Sequence, residues 1–200
     1  MDDDYQSKIV DGHALADAVA QVRTDGRSIV LCHGCFDIVH PGHIRYLEFA
    51  RKHGDLLIVS ITSDAAIDKE SDRPYIPEEL RAENLAALSF VDLVYVDPNH
   101  TAEQVLQLIK PDVYVKGHEY QLSRDPRFLA EQKAVEQYGG KVIFSSGDLV
   151  FSSTELIRRI GRDVDLEAQR LQYVTRRHDI SLDTLESIIA RFRQCRVVVV

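Results

Sequence analysis

Apolar positions along this chain fall into two alternating patterns. Short β-branched runs occur at residues 29–33, 56–61, 93–96, 113–115 and 142–144. Between them lie stretches whose apolar residues recur at helical spacing, near 42–53, 77–89, 102–109, 126–138 and 153–160. A further amphipathic stretch at 11–23 precedes the first run, with Ala14, Leu15, Ala18, Val19 and Val22 on one face and Gly26 as its stop. Helix-start chemistry accompanies several of these stretches. Thr101 with Gln104 and Ser152 with Glu155 have capping-box spacing, and Asp125-Pro126 places an N-cap before a proline at the first helical position. Gly54 and Gly139-Gly140 are the expected stops. Short strands separated by helices require crossover connections. The expected fold is therefore α/β: a Rossmann-like, doubly wound, five-stranded parallel sheet with helices on both faces.

The pattern changes near residue 162. Residues 1–162 read as one domain, and 163–200 as a helical extension or linker, charged at first and then amphipathic through Leu185, Ile188, Ile189 and Phe192. The sequence closes on Arg196 followed by Val197, Val198, Val199 and Val200. A bare β-branched terminus would be an aggregation-prone edge. It reads either as an additional strand of the sheet or, preferred here, as the start of a truncated second domain.

Composition narrows the classes. The 200 residues are 44% hydrophobic and 28% charged, which suits a soluble domain with a core. A net charge of −8 argues against coating nucleic acid, so any phosphate ligand must be held locally. No apolar run is long enough to span a bilayer, and the acidic start MDDDYQSKIV is unlike a secretory signal, so a cytoplasmic location is expected. Cys32, Cys35 and Cys195 make an odd, sparse set. The Cys32-His33-Gly34-Cys35 spacing raises a thiol-redox pair or half a zinc site as a minor alternative. Cys32, however, sits inside an apolar run, and no second ligand pair follows.

The candidate chemistry lies in His33-Gly34-Cys35-Phe36-Asp37-Ile38-Val39-His40-Pro41-Gly42-His43, placed between the first major strand and a helix start. Such a junction offers free backbone N–H groups and the positive end of a helix dipole, a natural anion site. In a doubly wound sheet it also lies at the carboxyl edge, where ligands bind.

This stretch, with His40-Pro41-Gly42-His43, resembles the signature of the HxGH nucleotidyltransferase superfamily, the cytidylyltransferase-like enzymes. Within it the chain from about residue 28 to 161 is most similar to the adenylyltransferase domain of bifunctional ADP-heptose synthases. The resemblance implies transfer of AMP from ATP to a heptose-like sugar 1-phosphate, with pyrophosphate released. The second alternative is a CTP-dependent cytidylyltransferase for a small polyol or amino-alcohol phosphate such as glycerol 3-phosphate. A third, of another class, is a nucleotide-binding module without turnover. His40, His43 and Lys116 would be catalytic. Gly34, Cys35, Phe36, Gly42, Ser152, Ser153 and Thr154 would bind the nucleotide, with Phe36 also fit for core packing and Ser152 for simple capping. Asp37, Asp64, Lys69, Arg73, Arg81, Gly117 and Glu119 would serve the substrate. Asp64 fits a helix N-cap equally well, Lys69 and Arg73 solvated loop positions, and Arg81 a surface ion pair.

Lys116-Gly117 resembles an element of the heptose-phosphate enzymes and tilts the choice toward them. His33, His118 and Glu119 depart from the usual residues. Mg²⁺ is expected to accompany the triphosphate through phosphate oxygens and waters, with no protein metal cage. The expected partners are a nucleoside triphosphate and a phosphorylated small molecule, without nucleic acid or membrane. A homodimer and a fused sugar-kinase domain are compatible with this resemblance.

Overall fold

In a computed structural model, residues 5–67 and 74–145 are described, together with the isolated positions Ser181, Thr184 and Arg191. The chain divides into Met1–Arg159 and Ile160–Val200, and the fold described is that of the first unit. Lys69, Arg73, Ser152, Ser153, Thr154, the Ser152–Glu155 box, the helix expected at 153–160, the helical extension and the terminal valines lie outside the described residues.

The strands are β1 (Ile9–Val10), β2 (Ile29–Gly34), β3 (Leu56–Thr62), β4 (Leu93–Asp97), β5 (Val113–Lys116) and β6 (Lys141–Phe144). They form one six-stranded sheet in the order β1-β4-β3-β2-β5-β6, with every pairing parallel. The fold class is as expected, with one strand more. β1 is a two-residue edge strand, registered as Ile9 against Val94 and Val10 against Tyr95. An apolar pair that short has no period to read.

The helices are α1 (Gly12–Thr24), α2 (Pro41–Arg51), α3 (Glu78–Ala86), α4 (Glu103–Ile109) and α5 (Pro126–Gln137). Asp11 caps α1 through Ala14 N–H, and Asp125 caps α5 through Arg127 N–H, as its sequence suggested. The Thr101–Gln104 capping box does not form: Ala102 is the N-cap of α4 and no side-chain bond caps it. Gly139, at φ +85°, follows α5 in the left-handed region where glycine is least strained.

Side chains alternate between the two faces of the sheet. Val30, Cys32, Leu57, Val59, Ile61 and Val115 pack with Leu47 and Ala50 of α2 and Ala82, Leu85 and Ala86 of α3. Ile29, Leu31, Ile58 and Tyr114 pack with Leu15, Val19 and Val22 of α1, Val105, Leu106 and Ile109 of α4 and Val135 of α5. Each of the larger aliphatic side chains buried here contributes about 1.5–3 kcal/mol of transfer free energy. Two apolar layers thus hold β2 and β3 in the middle. The connection from β3 leads to β4 on one side, whereas β5 lies on the far side of β2. The strand order therefore reverses between β2 and β5, and the crevice beyond their carboxyl ends is where such folds bind ligands.

Candidate active site

β2 ends at Gly34 and α2 begins at Pro41, so residues 35–40 form the turn over that crevice. His40 is the N-cap of α2, its Nδ1 accepting from Gly42 N–H at 3.1 Å. An imidazole that accepts at Nδ1 carries its neutral-state proton on Nε2. That N–H is the donor His40 retains. His43 stacks on it, with ring centroids 3.9 Å apart and planes 26° apart. Phe36 closes the other side of His43, its centroid at 5.2 Å.

Burial lowers the pKa of His40. Burial, and then the neighbouring His40, push His43 down to about 4 against an opposing contribution from the Ile38 backbone. Both rings are thus neutral near pH 7, with N–H donors rather than positive charge to offer. Phe36 has φ +48°, an unusual backbone for a bulky residue and a form of strain found at ligand clamps. Gly34 makes room for it: a Cβ there would lie 3.2 Å from the Phe36 ring.

The loop is tied down from outside. Asp37, 2% exposed, accepts from Tyr75 and Ile76 N–H, both at 2.9 Å. Arg81 is fully buried rather than at the surface. It donates to Ile76 O at 3.0 Å, Cys35 O, Thr62 O at 2.8 Å and Asp64 Oδ1 at 2.7 Å. Asp64 and Glu78 exchange backbone-to-carboxylate bonds at 2.6 and 3.3 Å. Asp37, Asp64 and Arg81 therefore meet around the turn of residues 35–40 as its fastening. The carbonyl of Cys35 is held by this arginine.

Lys116 stands on the other flank of β2. It is 6% exposed, bound to Glu131 Oε2 at 3.1 Å and Tyr114 Oη at 3.3 Å, with the Tyr120 ring centroid 4.3 Å away. Gly117 lies against Glu119, whose carboxylate oxygens would be 2.3 Å from a Cβ at that position, and Glu119 itself is exposed. Sequence reasoning missed Glu131 and Ser60. The available signals were an acidic residue on the stripe Phe128, Glu131, Val135 that α5 buries, and a hydroxyl inside the apolar run of β3. Cys32 is fully buried, and burial pushes its thiol up to about 12, so the thiol-redox alternative falls. Among the described residues no group of three or more His, Cys, Asp or Glu side chains is placed to hold a metal ion.

Burial also pushes His33 down to about 3, with the Lys116 charge adding to the effect. In the unfolded chain a histidine takes up its proton near pH 6.5, whereas folded His43 and His33 remain neutral down to about 4 and 3. Between those values the unfolded state binds more protons, so stability must fall as the pH falls below about 6.5. The slope is at most about 1.4 kcal/mol per pH unit for each histidine. Urea midpoints measured at pH 7, 6 and 5 should decline, and less steeply in His33→Asn. A flat midpoint over that window contradicts the assignment.

A parallel doubly wound sheet, with paired imidazoles at a helix N-terminus on its switch point, is suited to binding phosphate groups and agrees with the nucleotidyltransferase resemblance of the sequence. The profile of the Cytidylyltransferase-like family matches residues 31–160, and the chain belongs to that family. It is 40% identical over 161 residues to "Bifunctional protein HldE" of Syntrophotalea carbinolica, an alignment covering 78% of this chain and 32% of that protein. The chain thus spans about a third of the length of the curated relatives it matches. The structure of a lipopolysaccharide core biosynthesis protein from Thermoplasma volcanium is similar at TM-score 0.52 and 26% identity, covering 60% of this chain and 98% of that one. Pantoate-beta-alanine ligase from Francisella tularensis shares the fold at TM-score 0.51 and 18% identity, covering 68% and 66% of the two chains.

Proposed function

We propose that this domain transfers AMP from ATP to a sugar 1-phosphate of the heptose type and releases pyrophosphate. The observation that carries the reading is the stacked, neutral His40–His43 pair at the start of α2, on the switch point of the sheet. The likeness to the HldE proteins, and Lys116 at the end of β5, support the choice of acceptor.

In the reaction, an oxygen of the acceptor phosphate attacks the α-phosphorus in line. The new P–O bond forms as the bond to the bridging oxygen of the β-phosphate breaks, and pyrophosphate departs with that electron pair. The protein's task is to position the reactants and stabilise charge. His40 donates from Nε2, and His43 beside it donates to the same phosphates. The turn from Gly34 to Phe36 supplies close backbone approach. Mg²⁺ bound to the triphosphate would neutralise phosphate charge, held by phosphate oxygens and water rather than by a protein cage. Among the described residues no helix is long and apolar enough to cross a membrane. A cytoplasmic location, a homodimer and a fused sugar-kinase domain that supplies the phosphorylated sugar belong to the same proposal.

The test is pyrophosphate release with ATP or CTP, Mg²⁺ and a panel of heptose 1-phosphate, hexose 1-phosphates and glycerol 3-phosphate. Turnover of ATP with heptose 1-phosphate is expected. Preference for CTP with glycerol 3-phosphate would replace this reading with a cytidylyltransferase, and nucleotide binding without release from any pair would leave a non-catalytic module.

A further inference from the structure

The two faces of the sheet differ in chemistry at the carboxyl edge. The side covered by α2 carries His40 and His43. On the side shared with α1, α4 and α5, four neighbouring strands each place a polar residue near their ends: Lys116 of β5, His33 of β2, Thr62 of β3 and Asp97 of β4. Ser60 sits opposite His33 in the register. A polar row inside a central sheet is costly unless each group is satisfied or has another use.

This row is not fully satisfied. Asp97 is 0% exposed, and although its Oδ1 accepts from the N–H and side-chain amide of Asn99, its Oδ2 is buried without a hydrogen bond. Burial raises the pKa of this carboxyl, the direction that favours a neutral acid able to donate. His33 lies between two hydroxyls, Nδ1 at 3.1 Å from Ser60 Oγ and Nε2 at 3.4 Å from Thr62 Oγ1. The second contact is long for a hydrogen bond. A ligand hydroxyl can therefore replace Thr62 on Nε2 at small cost. A histidine that stays neutral suits a hydroxyl better than a phosphate.

In-line displacement puts the entering and leaving oxygens on opposite sides of the phosphorus. On the proposed reading the histidine pair faces the departing pyrophosphate, which brings the acceptor in across β2, over this row. We propose that His33, backed by Ser60 and Thr62, is a specificity-determining residue that reads hydroxyl groups of the sugar-phosphate acceptor. The inference rests on the nucleotidyl-transfer reading given above.

The test uses the full chain with MgATP and heptose 1-phosphate, comparing wild type, His33→Leu, which removes both ring nitrogens, and His33→Asn, which restores a donor and an acceptor. His33→Leu should raise the KM for heptose 1-phosphate by about 10-fold to 100-fold, with the KM for ATP within about twofold of wild type. His33→Asn should recover most of the loss. Monodeoxy heptose 1-phosphates should include one that loses the same factor with wild type and nothing more with His33→Leu. Equal changes in both KM values, or an unchanged acceptor KM in His33→Leu, would overturn the subsite alone. Wild-type protein that releases no pyrophosphate from any pair would overturn the proposed function and the subsite with it.

Discussion

Replacing His43 with alanine is expected to lower kcat by about 10²- to 10³-fold, the usual cost of losing one preorganised donor to a phosphate or oxyanion. The ring is held by His40 on one side and Phe36 on the other, so its N–H is aimed before substrate arrives. Its neutrality near pH 7 means that what is lost is a directed hydrogen bond rather than a cation. Nucleotide affinity should change much less, because the turn around Gly34 and Cys35 remains. The stack itself is worth about 0.5–1.5 kcal/mol, so the unfolding midpoint must be measured beside the rate. His40→Ala should give a comparable loss of rate with a further cost of about 1 kcal/mol from the missing helix cap. The double variant should lose less than the product of the two, since the rings act as a unit. Pyrophosphate release read at saturating ATP decides the matter. A folded His43→Ala protein that keeps a tenth or more of the wild-type rate would remove the histidines from the mechanism.

How much of this was legible beforehand depended on whether a residue's role is set by local pattern or by distant packing. The strands β2 to β6 and the helices α1 to α5 were readable because each repeats a period over several residues. β1 was not, because Ile9 and Val10 become a strand only through their pairing with Val94 and Tyr95. The histidine turn was readable because its spacing and its place between strand and helix are both local. Lys116 was placed correctly at a strand end, but its partners Glu131 and Tyr114 come from α5 and from two residues earlier on the same face. The alternation of β2 turns Cys32 toward the α2 layer and His33 toward the α1 layer, so the first thiol of the Cys32-His33-Gly34-Cys35 stretch is spent on core packing. For Arg81 the surface location of the ion pair fails for a similar reason. Its position on α3 beside Ala82 and Leu85 marked it as facing inward, yet an arginine facing inward is informative only once its acceptors are known.

Those acceptors make Arg81 the second position of large effect. Arg81→Met should destabilise the domain by about 3–5 kcal/mol. The guanidinium is fully buried and satisfies the carbonyls of Ile76, Cys35 and Thr62, three segments also tied by the bonds of Asp37 to Tyr75 and Ile76 and of Asp64 to Glu78. Methionine fills much of the space but returns none of the bonds, leaving buried acceptors unpaired at about 1–3 kcal/mol each, less than additively. The ion pair with Asp64 adds the smaller share, since that carboxylate is 30% exposed and water can take it back. Arg81→Lys should recover only part of the loss, because one ammonium cannot reach acceptors that a planar fork spans. Urea unfolding with an unchanged slope and a lowered midpoint is the expected signature. Activity of the folded fraction should fall as well: the Cys35 carbonyl is the anchor next to left-handed Phe36, and Phe36 backs His43. A midpoint change worth less than about 1 kcal/mol would mean that the three carbonyls find water or other donors, and that the loop is held by Asp37 alone.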